Sequence, residues 1–476
     1  MPSSSSTSNG QDAPTVFVLF GATGDLAKRM VLPAFYDLYT RGLLPRRWRL
    51  VGNGRGDVAH EDFQGQIKAS LAEFATAPEP DAWNRFAAEV RFAGGGFDND
   101  DPGSLLDVLE EARRDLGENV QLVHYLAIPP TAFPEITKAI GTHGLAANSR
   151  VVYEKPYGTS SDSFKQLDEL VHTVFDEEQV YRIDHFLGKE ATQNLHMLRF
   201  ANRMIGDSWH RHAVAEVQID VPETLDIADR AAFYDATGAA LDMLVTHLFQ
   251  VAAEVALEPP AEAHGIALQK ARESVISAFR PLDPADVVLG QFEGYRQTDG
   301  VADDSTTDTF VAARLWVDTD RWRDVPFLLR TGKRMAASAQ RVSLVFREPE
   351  GPVRTGYPSV LAFDLSGSGA LELQLIVKQP GPDFVPAEAS TAIRLEHVDE
   401  GAMAPYTSLL HDVLIGDRSL FTSAPGLAAA FRAFAPLQSS ARPAVLPYAQ
   451  GSWGPAEANT LAGPHGWLLQ AGDAAT

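Results

Sequence analysis

Residues 181–190 read Tyr181-Arg182-Ile183-Asp184-His185-Phe186-Leu187-Gly188-Lys189-Glu190, so a carboxylate, an imidazole and an ammonium fall within six positions. An apolar run of strand type precedes them and a long helical pattern follows. Side chains at a strand-to-helix junction project into a crevice that can hold a polar ligand. His185 and Lys189 offer donors to a phosphate or sugar oxygen, and Asp184 can orient a histidine supplied from elsewhere in the fold. The plainer alternative is a solvated loop in which Asp184 only caps a turn.

Three other stretches carry chemistry. Val16–Phe20 runs into Gly21-Ala22-Thr23-Gly24-Asp25-Leu26-Ala27, a strand, a glycine turn and a helix start, the arrangement that seats a pyrophosphate on helical N–H groups. The next strand ends in Val51-Gly52-Asn53-Gly54-Arg55-Gly56, with no acid before Asp57 to hold a ribose diol. Arg55, aided by the Thr23 hydroxyl, suits a 2′-phosphate, which favours NADP over NAD. Lys155 stands at a strand end before Pro156, where a cis bond would aim it back over the cofactor crevice. His247 lies on a predicted helix over 238–257, beside Leu244 and Val251. An imidazole there is either a satisfied core group or a base for a hydroxyl proton, with Asp184 as its natural partner.

These residues need elements to position them. The first third alternates strand and helix patterns, which predicts a parallel, doubly wound sheet. Strands are expected at 15–20, up to 52, 122–128 and 150–154. Beyond about residue 190 the pattern becomes alternating strands joined by Gly/Pro/Asp turns, at 214–221, 310–317, 342–347, 360–365, 371–377 and 392–398. The fold class is therefore α/β plus α+β: an N-terminal Rossmann-like doubly wound parallel sheet joined to a large, mainly antiparallel sheet domain with helices. The expected division is a disordered tail at 1–14, a dinucleotide-binding domain at 15–190, an α+β substrate and oligomerisation domain at 191–463, and a loosely ordered tail at 464–476.

Composition bounds the function. The 476 residues exceed one ordinary core. A formal net charge of −23 argues against nucleic acid or an anionic membrane as a partner, and it makes any phosphate site depend on locally gathered cations. There is no cysteine, which excludes disulfides and thiolate chemistry and is compatible with a reducing cytoplasm. No apolar run is expected to reach the length of a membrane span.

Taken in order, GATGDLAKR, YLAIPP, EKPYG, RIDHFLGKE with QNLHMLRFAN, the His247 helix before Glu258-Pro259-Pro260, PFLLRTGK and GSWGPAEA resemble the glucose-6-phosphate dehydrogenase family from about residue 15 to 458. The resemblance implies NADP-dependent oxidation of a small sugar phosphate at C1, without a metal, by a cytoplasmic homodimer or homotetramer. It assigns His247 as the base and Asp184 as its orienting carboxylate. His185 and Lys189 then correspond to phosphate-binding positions, and Lys155 to a lysine shared by substrate and coenzyme. Glu223, Asp242 and Lys333 match positions that hold the sugar ring, while Gly21, Thr23, Gly24, Asp25, Leu26 and Arg55 match the coenzyme turn and 2′-phosphate site.

The chain departs from the family pattern at several of these places. Phe186 replaces a common tyrosine, Met30 a common lysine and Ser338 a basic residue, and Leu241, Val245 and Thr246 replace the usual Arg, Gln and Asn around Asp242 and His247. Two other readings follow from these losses. One is a paralogue acting on a free or differently substituted hexose; the other is a non-catalytic NADP(H)-binding regulator.

Overall fold

The computed structural model describes residues 13–227, 230–352, 355–367, 369–395 and 401–470. The disordered tail expected at 1–14 falls largely outside the described residues.

Six strands, β1 (Thr15–Phe20), β2 (Trp48–Asn53), β3 (Val90–Ala93), β4 (Gln121–Leu126), β5 (Ser149–Tyr153) and β6 (Val180–Ile183), form the parallel sheet expected for the first third. All six residues of β1 are buried, as a strand covered on both faces requires. The strand order is β6-β5-β4-β1-β2-β3, so the winding reverses between β1 and β4. That switch point opens a crevice at the carboxyl ends of the strands.

The second sheet has nine strands in the order β14-β13-β12-β11-β7-β10-β9-β8-β16. These are β7 (Val214–Pro222), β8 (Val287–Phe292), β9 (Phe310–Trp316), β10 (Pro326–Gly332), β11 (Arg341–Phe346), β12 (Val360–Asp364), β13 (Ala370–Lys378), β14 (Pro386–Arg394) and β16 (Val445–Tyr448). Pairing is antiparallel except between β7 and β10 and between β8 and β16. The strands β8, β10 and β16 have continuous or short patterns that alternation does not single out. The strand expected at 392–398 lies earlier, because β14 pairs along the whole of β13, from Ala370↔Arg394 to Lys378↔Pro386; residues 396–400 lie outside the described residues.

The chain after residue 400 returns to the first sheet. The helix Pro405–Ile415 packs on the helix Leu32–Thr40, and β15 (Phe421–Thr422) adds an antiparallel edge to β6 through Phe421↔Ile183. Of the tail expected to be loosely ordered at 464–476, residues 464–470 pack against the second sheet, with Trp467 and Leu469 buried, and 471–476 lie outside the described residues. Arg330, buried and ion-paired with Asp220 across β10 and β7, lies over Trp467 and Trp453 and donates to the Leu469 carbonyl at 2.9 Å.

The helix predicted over 238–257 begins one residue later and is entered through a break. Gly238 adopts φ 71° and ψ 166°, Ala240–Leu248 has the wider π-helical turn, and Phe249–Ala256 completes it as an α-helix. The stretch Ala231–Ala256, counted across that break, is long and apolar enough for a membrane span, which the sequence reading did not anticipate, yet 89% of its most apolar window is buried inside the protein. Its last carbonyls are satisfied internally: Trp209 Nε1 donates to Val255 at 2.7 Å and Trp322 Nε1 to Ala256 at 2.9 Å.

A charged cluster crosses from this helix to the first sheet. Glu254, in an otherwise apolar run, pairs with Arg272 and His196, and Arg272 donates to the carbonyls of Ser419 at 2.8 Å and Phe421 at 3.4 Å. Burial would raise the Glu254 carboxyl, but Arg272 and His196 together hold it down at about 2. Removing one partner strands a buried charge. Arg272→Leu is therefore expected to lower stability by about 3 to 5 kcal/mol in urea denaturation, with most of the loss recovered when Glu254→Leu is added.

Candidate active site

The crevice gathers residues from both sheets. Asp184 directly follows β6, and its Oδ1 accepts the Phe186 N–H at 2.9 Å, so it does cap a turn. The same oxygen lies 2.7 Å from His247 Nδ1, with both side chains almost fully buried. Burial pushes the Asp184 carboxyl up to about 6, against the pull of His185, the Phe186 N–H and Lys155. Burial, with Lys155 and Lys189 nearby, holds the His247 imidazole well below its ordinary range. Near neutral pH this assigns an ionised Asp184 accepting from a neutral imidazole, with the proton on Nδ1. His247 Nε2 is buried and unpartnered among the described residues, which leaves a lone pair available to a hydroxyl proton.

Aromatic contacts fix the ring. His247 stacks on Phe186 with centroids 4.6 Å apart and meets His185 edge-on at 4.5 Å. The Lys189 ammonium lies 3.8 Å from the centroid of the same Phe186 ring and pairs with Gln340. Enclosure lowers Lys189 to about 8, opposed by Asp184, Asp364 and Glu223. His185 is held well below its ordinary range by burial, His247 and Lys155, so it stands neutral rather than as a cation.

Two ion pairs border the dyad. Lys155, at the end of β5 before a cis Pro156, reaches Asp242 Oδ1 at 3.0 Å. Burial opposes ionisation of Asp242, but Lys155, His247 and Lys333 pull its carboxyl below the ordinary value. Lys333, just past β10, pairs with Glu223, just past β7. Ser338 does not face the crevice as a free hydroxyl: its Oγ accepts the Thr224 N–H at 2.9 Å and also meets Thr224 Oγ1. Arg334 is paired with Asp226.

The glycine turn lies at the switch point. Gly21 has φ 74°, and a Cβ there would fall 2.3 Å from the Ala127 carbonyl oxygen beyond β4. The Gly24 N–H closes the turn onto the Gly21 carbonyl at 2.9 Å, ahead of the helical residues Asp25 and Leu26. Asp25 is exposed and 3.9 Å from Arg29. Arg55 is exposed, and the Gly94–Gly96 turn passes beside it; Thr23 faces Gly54 at the same corner. A close backbone approach, a helix start directly behind the turn and an exposed arginine, unpaired among the described residues, fit a dinucleotide bearing a further phosphate. Asp184, His185 and His247 also place three ligand-type atoms within 4.8 Å of one another; Asp184 Oδ1 is committed to His247 and to Phe186, while its Oδ2 is buried without a partner among the described residues.

Sequence reasoning missed the buried Glu254–Arg272–His196 cluster behind the dyad. A glutamate within Val251-Ala252-Ala253-Glu254-Val255-Ala256 was its only signal, since a charge in an apolar stripe requires a partner.

A doubly wound sheet with a glycine turn at its switch point, facing a buried carboxylate–imidazole dyad, defines a dinucleotide-dependent oxidoreductase. The models for the glucose-6-phosphate dehydrogenase NAD binding domain and C-terminal domain match residues 18–194 and 196–468. Glucose-6-phosphate 1-dehydrogenase 2 of Mycobacterium tuberculosis is 37% identical, covering 93% of this chain and 91% of its own length. The Bacillus subtilis glucose-6-phosphate 1-dehydrogenase is 32% identical over 96% and 99% of the two chains. Among solved structures, a glucose-6-phosphate dehydrogenase in complex with its substrate glucose-6-phosphate superposes with a TM-score of 0.88 at 26% identity, covering 96% of this chain and 99% of that one. The Mycobacterium avium glucose-6-phosphate 1-dehydrogenase gives a TM-score of 0.83 at 30% identity, with the same coverage. The chain belongs to the glucose-6-phosphate dehydrogenase family.

The Gly21 contact yields a direct expectation. Gly21→Ala should abolish coenzyme binding in a fluorescence titration with NADPH, whereas Gly65→Ala, where an added Cβ meets no atom within 4 Å, should leave it intact.

Proposed function

We propose that this chain oxidises glucose 6-phosphate at C1 with NADP as coenzyme, giving 6-phosphogluconolactone. The observation that carries the reading is the Asp184–His247 dyad with Nε2 unpaired, at the join of the two sheets in a chain of this family. When bound, NADP supplies the hydride acceptor. His247 takes the C1 hydroxyl proton at Nε2 as the C–H bond breaks. Asp184 holds the reactive tautomer and stabilises the imidazolium that forms.

Lys189 holds the 6-phosphate through charge, and His185 donates an N–H. Lys155 bridges sugar and coenzyme, while Glu223, Asp242 and Lys333 fix the ring hydroxyls. Gly21, Thr23, Gly24, Asp25 and Leu26 cradle the pyrophosphate, and Arg55 takes the 2′-phosphate. The separation into a coenzyme domain up to about residue 190 and a substrate domain beyond it belongs to the same reading, supported by the meeting of the two family models there. So does assembly as a homodimer or homotetramer, supported by the exposed apolar side chains Leu375, Val377, Phe384, Val385 and Ile393 around the β13–β14 hairpin. A cytoplasmic location is included as well, since a relative from Arabidopsis thaliana is a cytoplasmic enzyme.

The paralogue reading has two observations in its favour: Phe186 brings no hydroxyl to the phosphate position, and the Ser338 hydroxyl is engaged by Thr224. Comparing NADPH formation with glucose 6-phosphate and with glucose separates the two. Preference for the phosphorylated sugar is expected, and His247→Asn should lower kcat by about 10²- to 10⁴-fold. Turnover of glucose alone would transfer the assignment to the paralogue.

The pH dependence has two limbs. Below about 6, protonation of Asp184 removes the acceptor for Nδ1–H, so kcat/KM should fall with acid. Above about 8, Lys189 loses its charge in the free enzyme, so kcat/KM should fall again while kcat holds. Lys189→Gln should raise KM for the phosphorylated sugar and erase the alkaline limb.

A further inference from the structure

The residues proposed to hold the sugar come from separate elements. Asp242 and His247 ride on the helix that follows Gly238, whereas Lys333 follows β10 in the second sheet. A two-residue segment, Asp308-Thr309, ties these elements together. Asp308 is buried, and its Oδ2 accepts the Ala240 N–H at 2.6 Å while its own carbonyl accepts the Ala239 N–H at 2.8 Å. Two of the N–H groups that a helix start leaves unpaired are thereby satisfied by one residue. Asp308 Oδ1 pairs with Arg442. Burial raises the carboxyl, and Arg442 with the Ala240 N–H acts to keep it ionised.

Thr309 completes the connection. Its carbonyl accepts the Lys333 N–H at 2.9 Å, and Tyr448, whose hydroxyl lies 3.0 Å from Thr309 Oγ1, donates to the Lys333 carbonyl at 2.6 Å. The Lys333 N–H is thus held by the residue next to the one that starts the His247 helix, and its carbonyl by Tyr448, which meets the Thr309 hydroxyl. Gly238 makes the close approach possible, since a Cβ there would stand 2.8 Å from Asp308 Oδ1 at a φ of 71°.

We propose that Asp308 is a positioning residue that sets the separation between Asp242 and Lys333, and with it the place of the sugar ring before His247. It touches neither substrate nor coenzyme; it acts through the first turn of the helix. This inference rests on the sugar-oxidising reading above.

The test compares Asp308→Ala, Asp308→Asn and Arg442→Gln with the unaltered protein. Amide hydrogen exchange over 239–246, which needs no substrate, should rise in Asp308→Ala and change little in Asp308→Asn, whose side-chain oxygen still accepts from Ala240. In a protein first shown to oxidise glucose 6-phosphate, Asp308→Ala should raise KM by about 10- to 100-fold with a smaller drop in kcat, because displacing a bound sugar by about an ångström costs of that order. Titrated NADPH affinity should be unchanged. Asp308→Asn and Arg442→Gln should stay within about threefold of the parent KM, well short of that cost.

A folded Asp308→Ala with unaltered KM and unaltered exchange would overturn the proposal. So would an Asn variant as impaired as the Ala variant, which would assign the role to charge rather than to the helix start. Absence of sugar oxidation in the unaltered protein would refute the functional reading instead, and the exchange comparison alone would then decide whether Asp308 fixes the turn.

Discussion

The contact between Asp184 and His247 joins the two halves of the molecule at the imidazole on which the proposed chemistry depends. Asp184 is delivered by the last parallel strand of the first sheet, His247 by a buried helix packed with the second. A carboxylate and an imidazole both nearly removed from water are costly unless each satisfies the other. Their hydrogen bond is therefore also a constraint on how the two sheets dock. Behind it, Arg272 binds Glu254 on the same helix and the carbonyls of Ser419 and of Phe421 in β15, and Phe421 pairs with Ile183 beside Asp184. The two paths start on one helix and end at one strand, so the dyad is braced from both sides.

Charge at the crevice is local and opposed to the charge of the chain as a whole. A net of −23 repels an anionic sugar at long range, but screening confines that field to roughly a Debye length of about 8 Å at physiological ionic strength. At the crevice stand Lys155, Lys189 and Lys333; Asp242 pairs with Lys155 and Glu223 with Lys333, which limits repulsion among them before a ligand arrives. Phe186 has a part in this beyond replacing a tyrosine: the His247 imidazole stacks on its ring and the Lys189 ammonium lies over it. One apolar side chain thus fixes both the proposed base and the proposed phosphate ligand, while contributing no hydrogen bond of its own.

Much of this was legible in the sequence because it is local. The glycine turn after β1 needs Gly21 at positive φ, and the strand–turn–helix pattern around it is contiguous. The parallel strands of the first sheet, buried on both faces, read as apolar runs. The Asp184–His185–Lys189 cluster is likewise a short stretch at a strand end. Less was legible where pairing partners are distant. β10 lies buried at the centre of the second sheet and does not alternate, and the start of β14 is set by its register with β13 rather than by its own composition. The return of residues 401–422 to the first sheet left no local signal, because a strand of only two residues carries no pattern.

The sequence by itself determined the inventory: a dinucleotide turn, a cluster of acid, imidazole and ammonium groups at a strand end, a histidine on an apolar helix, and no cysteine to support thiol chemistry. Tertiary structure decided which of those groups meet and in what ionisation state. Asp184 and His247 are sixty-three positions apart, and only the docking of the sheets brings them to 2.7 Å. Desolvation then drives the His247 and His185 imidazoles to the neutral form and lowers Lys189. A pKa belongs to an environment rather than to a residue type, and burial exists only once distant segments have packed.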